Sequence, residues 1–230
     1  MDADTPKEEE LNLPQALLLL ATNDKDGEPE VPQTVLRAAV AGAILAELDL
    51  LGAIELKGKH VRATGTAPQT DFQHQLELIR DNSRPHTPKR WVSMLESRAE
   101  LHRIYEGMAA LGIVDHVGER HLGVFRTTRY PEHDHAPEAA LLQLIQAALS
   151  GAPSDSAPSD SAPSGSAPPG PADPRTNALI ALLFAAGLLE KIVPAEDQSP
   201  AWGLANGYWP SRAVAEELRM IKMAEAEAVT

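Results

Sequence analysis

Cysteine is absent from the 230-residue chain. That excludes disulfides, thiolate metal sites and a cysteine nucleophile, and it fits a cytoplasmic location. Aromatic residues are almost as scarce, at 4% of the sequence against 43% hydrophobic residues in all. A core must therefore be filled by Leu, Ala, Val and Ile, and Ala-rich apolar runs favour helix over strand. Also missing is an uninterrupted apolar run of about 18 residues, the length that a spanning helix needs. The stretch "AVAGAILAELDLLGAIEL" is broken by Glu47 and Asp49, and "NALIALLFAAGLLEKI" is bounded by Asn177 and Glu190, so no transmembrane segment is expected. Basic charge is short as well: 20 Lys and Arg stand against 33 Asp and Glu, for a net charge of −13. Such a balance disfavours nucleic acid as a partner and repels anionic membranes, unless a local basic patch overrides it. The opening "MDADTPKEEE" is acidic and lacks the basic start and apolar centre of a secretion signal.

The apolar residues that are present fall into helical spacing. "LNLPQALLLLA" predicts a short helix with Pro14 in its first turn, followed by a turn at "NDKDGE". Leu36, Val40, Ala43, Ile44, Leu48 and Leu51 predict a helix over about Thr34–Leu51, stopped by Gly52. "AIELKGKHVRAT" then alternates as a hairpin around Lys57 and Gly58. The same order returns downstream, where a helix through Leu101, Ile104, Tyr105, Met108 and Leu111 stops at Gly112. A hairpin of "IVDHV" and "HLGVF" about a Gly118–Glu119 turn is expected next. The repetition reads either as an internal duplication or as repeated use of one packing unit.

Shorter helices are expected over "DFQHQLELIRDN", from about Lys89, and over about Pro137–Leu149. A third Gly-stopped helix, "DPRTNALIALLFAAGLLEKI", follows, and Val214, Leu218 and Ile221 stripe a final one. Residues 1–10 read as a disordered acidic tail, and residues 11–230 as one domain. The Ala/Pro/Ser repeats at 152–174 read as a disordered insertion within that domain.

Residues with chemistry are thinly spread. "YPEHDH" offers His133, Asp134 and His135, with His116 and His121 nearby. No His-x-x-x-His helix accompanies them, so they read as a solvated loop and no metal site is assigned. Serines cluster in the repeats, a Gly-x-Ser-x-Gly turn is absent, and no glycine loop has phosphate-cradling spacing. No catalytic residue or cofactor is assigned, and an enzyme acting on a lipid or sugar has no residue to start from. The basic residues are more telling by position. Arg80, Arg84, Lys89, Arg90, Arg98 and Arg103 lie within 24 residues, and Arg120, Arg126 and Arg129 flank the second hairpin. The alternative is a solvated face paired by Glu96, Glu100 and Glu106.

In order, "LNLPQALLLLATNDKDGE", "AGAILAELDLLGAIEL", "TDFQHQLELIRDNSRPHTPKRWVSMLE", "MAALGIVDHV" with "HLGVF", and "DPRTNALIALLFAAGLLEKI" resemble the Golgi phosphoprotein 3 family in its bacterial-type form. The resemblance covers about residues 11–195. It implies a mainly α single domain, a helical bundle core surrounded by amphipathic helices with edge β-hairpins. It also implies a non-enzymatic peripheral membrane or adaptor protein on the cytoplasmic membrane face.

Eukaryotic relatives bind phosphatidylinositol 4-phosphate through one Trp and three Arg. Those positions fall on Pro32, Ala41, Arg98 and Leu101 here, so only Arg98 is kept, and Arg103 matches a further family arginine. The head-group candidates are thus Arg98 and Arg103, with an anionic phospholipid or phosphoinositide-like ligand as partner. Leu122, Val124 and Phe125 are the candidates for membrane contact. The other uses of that hairpin are a protein partner or a homodimer. A winged-helix DNA-binding regulator, with Thr34–Leu51 as recognition helix and a hairpin as wing, is the competing reading.

Overall fold

The computed structural model describes residues 11–66, 68–121, 125–150, 173–194 and 198–228, with backbone alone for 119–121, 125–127, 199 and 228. The expected tail at 1–10 and most of the expected insertion, its residues 152–172, lie outside the described residues. Asp173 and Pro174, read from sequence both as the end of the insertion and as the head of the third Gly-stopped helix, open that helix. The Asp173 side chain accepts from Thr176 N at 3.1 Å, which is ordinary N-capping.

Asn12 starts the first helix, α1 (Leu13–Leu20), through a reciprocal pair of bonds with Gln15, and Pro14 occupies the first turn where its missing N–H costs nothing. Nearly all of α1 is buried, so its first amides need partners inside the protein. One is Glu47 on α2 (Gln33–Leu50), whose Oε2 accepts from Leu13 N at 2.8 Å. The same carboxylate takes two bonds from Arg175 on α7 (Pro174–Ala185), Nη1 to Oε2 at 2.8 Å and Nη2 to Oε1 at 2.9 Å. Three helices meet at one buried charge.

Helix α2 is the centre of the domain. Leu36, Ala41, Ile44, Leu45 and Leu48 are fully buried, and α2 packs on α1, α7, α4 (Pro88–Leu95), α5 (Arg98–Ala110) and α10 (Trp209–Ala228). A helix enclosed this way has no face to lay in a DNA groove, which removes the structural basis of the winged-helix reading. At Gly42 the crossing with α10 is so close that a Cβ would lie 2.1 Å from Val214 Cγ2.

The three glycine stops share one geometry. Gly52, Gly112 and Gly187 have φ near +70°, and the residue after each returns its N–H to a carbonyl five back, as in Ala53 to Leu48 O, Ile113 to Met108 O and Leu188 to Leu183 O. After Gly52 the chain forms β1 (Ile54–Lys57) and β2 (His60–Ala63), paired antiparallel as expected, with Gly58 and Lys59 at the turn.

The second hairpin differs from the expected one. Its strands are β3 (Val117–His121) and β4 (Phe125–Arg129), with Gly118 and Glu119 inside a strand rather than at the turn. The cause is the burial of Ile113 and Val114, directly after Gly112. Val114 bridges to Glu132, and Asp115 N donates to Pro131 O at 2.8 Å, so pairing begins there and the reversal falls beyond His121.

The remaining helices are α3 (Gln73–Asp81), α6 (Ala136–Ser150), α8 (Leu189–Ile192) and α9 (Ser199–Gly207). Neither α8 nor α9 was expected as a separate helix. The described residues thus form a single mainly α domain of ten helices and two edge hairpins. No described helix is long and apolar enough to cross a membrane.

Candidate functional site

Ser97 leaves the preceding segment extended and caps α5 by accepting from Ala99 N and Glu100 N. Arg98 is therefore the first residue of a 13-residue helix, at the end where the peptide dipoles present positive potential. Its side chain borders a cleft of about 200 Å³ with Gly27, Pro29, Gln33, Leu101, His102, Tyr105, Thr128 and Tyr130. None of these lining residues is a carboxylate. Arg98 makes one long contact in it, Nη2 to Gln33 Oε1 at 3.4 Å.

The cleft has an aromatic side. Tyr105 and Tyr130 stack with centroids 4.3 Å apart and planes within 2°. Tyr130 donates its phenol proton to Glu106 Oε1 at 2.8 Å, so His102 Nδ1, 2.8 Å from the Tyr130 hydroxyl oxygen, is the nitrogen that donates to that hydroxyl. Tyr105 is bonded to Thr22 Oγ1 at 2.7 Å, and burial pushes its phenol up to about 12. Burial and then Glu106 push Tyr130 higher still, while the Tyr130 hydroxyl holds Glu106 below the usual carboxylate range. Both phenols are neutral hydrogen-bonding groups at physiological pH.

Arg103 does not line this cleft. Five positions after Arg98, it is rotated by about 140° around the helix axis. It donates through Nε to Glu100 Oε1 at 3.1 Å, adds an Nη2 ion pair to the same oxygen, and lies 5.4 Å over the Phe72 ring. Of the other positions matched to relatives' head-group residues, Leu101 is buried beside the cleft, Pro32 is the exposed cap of α2, and Ala41 is fully buried in α2. Leu122 and Val124 lie outside the described residues, and Phe125 opens β4 by its backbone alone. The base of the hairpin is tied to the 22–30 turn by Arg129 to Glu28 at 2.8 Å and by Tyr130 N to Gly27 O at 3.2 Å.

A second group of polar side chains lies on the other side of that turn. "YPEHDH" does not act as one set: His133 Nδ1 pairs with Asp115 at 3.2 Å, and Asp134 Oδ1 accepts from Ala136 N at 3.0 Å. His135 Nδ1 is instead bonded to Glu132 Oε2. Asp24 joins these two from the turn, and one ligand atom from each of Asp24, Glu132 and His135 lies within 4.8 Å of the others. Glu138, beside them at the start of α6, is pushed up to about 7 by burial and by the Asp24 and Glu132 carboxylates. The grouping depends on Gly27, where a Cβ would lie 2.3 Å from Pro131 N; nothing in the local sequence spacing reports that approach.

None of the curated proteins compared with the chain matches it. The model of one family, described as Golgi phosphoprotein 3 (GPP34), matches residues 13–221, from the first residue of α1 into α10, and by that match the chain belongs to the Golgi phosphoprotein 3 family.

Proposed function

We propose that the protein is a non-enzymatic peripheral membrane or adaptor protein that holds an anionic phospholipid head group, phosphatidylinositol 4-phosphate being the first to test, with Arg98 as the anchoring residue. The observation that carries this reading is a guanidinium at a helix N-terminus, in a cleft without a lining carboxylate, on a chain of net charge −13. A monoester phosphate carries about −1.5 to −2 charges at neutral pH and is met by charge-assisted bonds from a guanidinium, a helix N-terminus and neutral donors. The Gln33 amide stands beside Arg98 for the neutral part. Arg103, already bonded to Glu100, adds positive field on the adjoining face rather than a contact in the cleft. Leu122, Val124 and Phe125 remain in the proposal as apolar residues for a bilayer, a protein partner or a second copy. Family membership supports an interaction role of this kind.

The test is vesicle flotation at low salt, with phosphatidylcholine alone, with added phosphatidylserine, and with added phosphatidylinositol 4-phosphate. The expected result is flotation with an anionic lipid and not with phosphatidylcholine alone. Arg98→Ala should lower the partition coefficient about tenfold, as loss of a charge-assisted bond of about 1.5 kcal/mol requires, and Arg103→Ala by clearly less. Absence of flotation on every vesicle, or equal flotation of Arg98→Ala and the parent chain, removes the lipid reading.

A further inference from the structure

We infer that Asp24, Glu132 and His135 form a binding site for a divalent transition-metal ion, with Glu138 next to it. Two segments distant in sequence supply the groups: Asp24 from the turn between α1 and α2, and Glu132 and His135 from the segment that joins β4 to α6. The backbone fixes their approach. Glu132 N donates to Asp24 O at 3.2 Å, and the Gly27 contact with Pro131 holds the two loops together. One ligand atom from each of the three lies within 4.8 Å of the others, so a single ion between them would reach all three.

The observation that points to a ligand is Glu132 itself. Its side chain is only 3% exposed, one oxygen is met by His135, and the other, Oε1, is buried and met by no donor among the described residues, the further side chain bonded to this group being a second carboxyl, Glu138. An ionised carboxylate oxygen so placed is costly unless a cation or a proton meets it. Among the described residues no basic side chain is bonded to it. The neighbouring groups are acidic: Asp24, whose charge helps raise both Glu132 and Glu138, and Glu138 itself. Such crowding repels anions and favours a compact positive charge.

The donor set selects the ion. Carboxylates alone would suit calcium or magnesium, whereas carboxylates with one imidazole suit manganese or zinc. His135 is 69% exposed, so its ring can turn from Glu132 to present a nitrogen to an ion. The competing occupant of the gap is a proton shared between Glu132 and Glu138, and the two occupants are separable by experiment.

The full chain, stripped with a chelator, should bind added MnCl₂ or ZnCl₂ saturably at one site by calorimetry, and bound Mn²⁺ should show nitrogen modulation in pulsed electron paramagnetic resonance. Asp24→Asn and His135→Ala should each weaken binding at least tenfold, and His135→Ala should abolish the nitrogen modulation. His133→Ala, whose ring pairs with Asp115 instead, should leave both readings as in the parent chain. Asp24 and His135 are exposed, so these variants keep the fold, checked by circular dichroism, whereas the buried Glu132→Gln is read only beside them. Failure of both ions to bind, or binding indifferent to Asp24→Asn and His135→Ala, overturns the site and leaves the shared proton. None of these readings involves lipid, so the outcome is independent of the Arg98 proposal.

Discussion

A carboxylate buried among helices is tolerable only when its charge and lone pairs are met, and Glu47 is met by three donors from two other helices. In the sequence this residue signals only that an apolar run is interrupted. Its partners sit at positions 13 and 175, and no local pattern links them. Glu47→Ala would leave Leu13 N–H unmet and deprive Arg175 of its two-point pair. The expected cost is about 3 kcal/mol, toward the lower end for a broken buried pair because the Arg175 side chain keeps 28% exposure. Glu47→Gln, which retains an acceptor for Leu13 N but not the charge, should fall between Ala and the parent chain. Urea unfolding measures both, and an Ala variant within about 0.5 kcal/mol of the parent would show that the three-helix junction does not depend on this charge.

Elements were legible wherever one segment contained all the causes of its own structure. α1 carries its cap and proline, α2 its apolar spacing and terminal glycine, and the first hairpin its two-residue turn. The second hairpin was misplaced because its pairing starts at Val114 and Glu132, whose bridge depends on the 22–30 turn packing under residues 130 and 131. Gly42 shows the same limit inside a correctly expected helix. Glycine in a helix interior costs about 1 kcal/mol relative to alanine, and here the compensation is contact with α10. Gly42→Ala should therefore destabilise by about 1–3 kcal/mol, since Val214 is β-branched and cannot swing its Cγ2 away freely. In a Val214→Ala background the same change should cost much less or become stabilising. Equal cost in the two backgrounds would refute the close crossing as the reason for the glycine, and a double-mutant cycle in urea reads the difference.

At the scale of the whole molecule, sites that depend on assembly were not readable from the chain. Arg98 was a candidate because the basic cluster and the family resemblance both include it, but its separation from Arg103 is a matter of rotation about α5. Asp24 and Glu132 are brought together by contacts between two loops, the close approach at Gly27 and the Glu132 N to Asp24 O bond among them. The C-terminal part raises the same question of assembly, because residues 173–228 follow a long repeat-rich stretch that reads in sequence as an insertion within one domain. In the structure α10 packs against α2, α4, α7 and α9, burying Ala213 and Val214 and most of Leu218. Removing it would expose the central helix on the α10 side of Gly42, leaving Leu182 of α7 as the remaining neighbour at that glycine. A chain ending at Gly207 should therefore lose its cooperative thermal transition rather than melt a few degrees lower, with the apolar surface of α2 and α4 available to a hydrophobic dye. A truncated chain that still melts cooperatively near the parent temperature would mean that α10 is peripheral to the domain, and that the core around α2 closes without it.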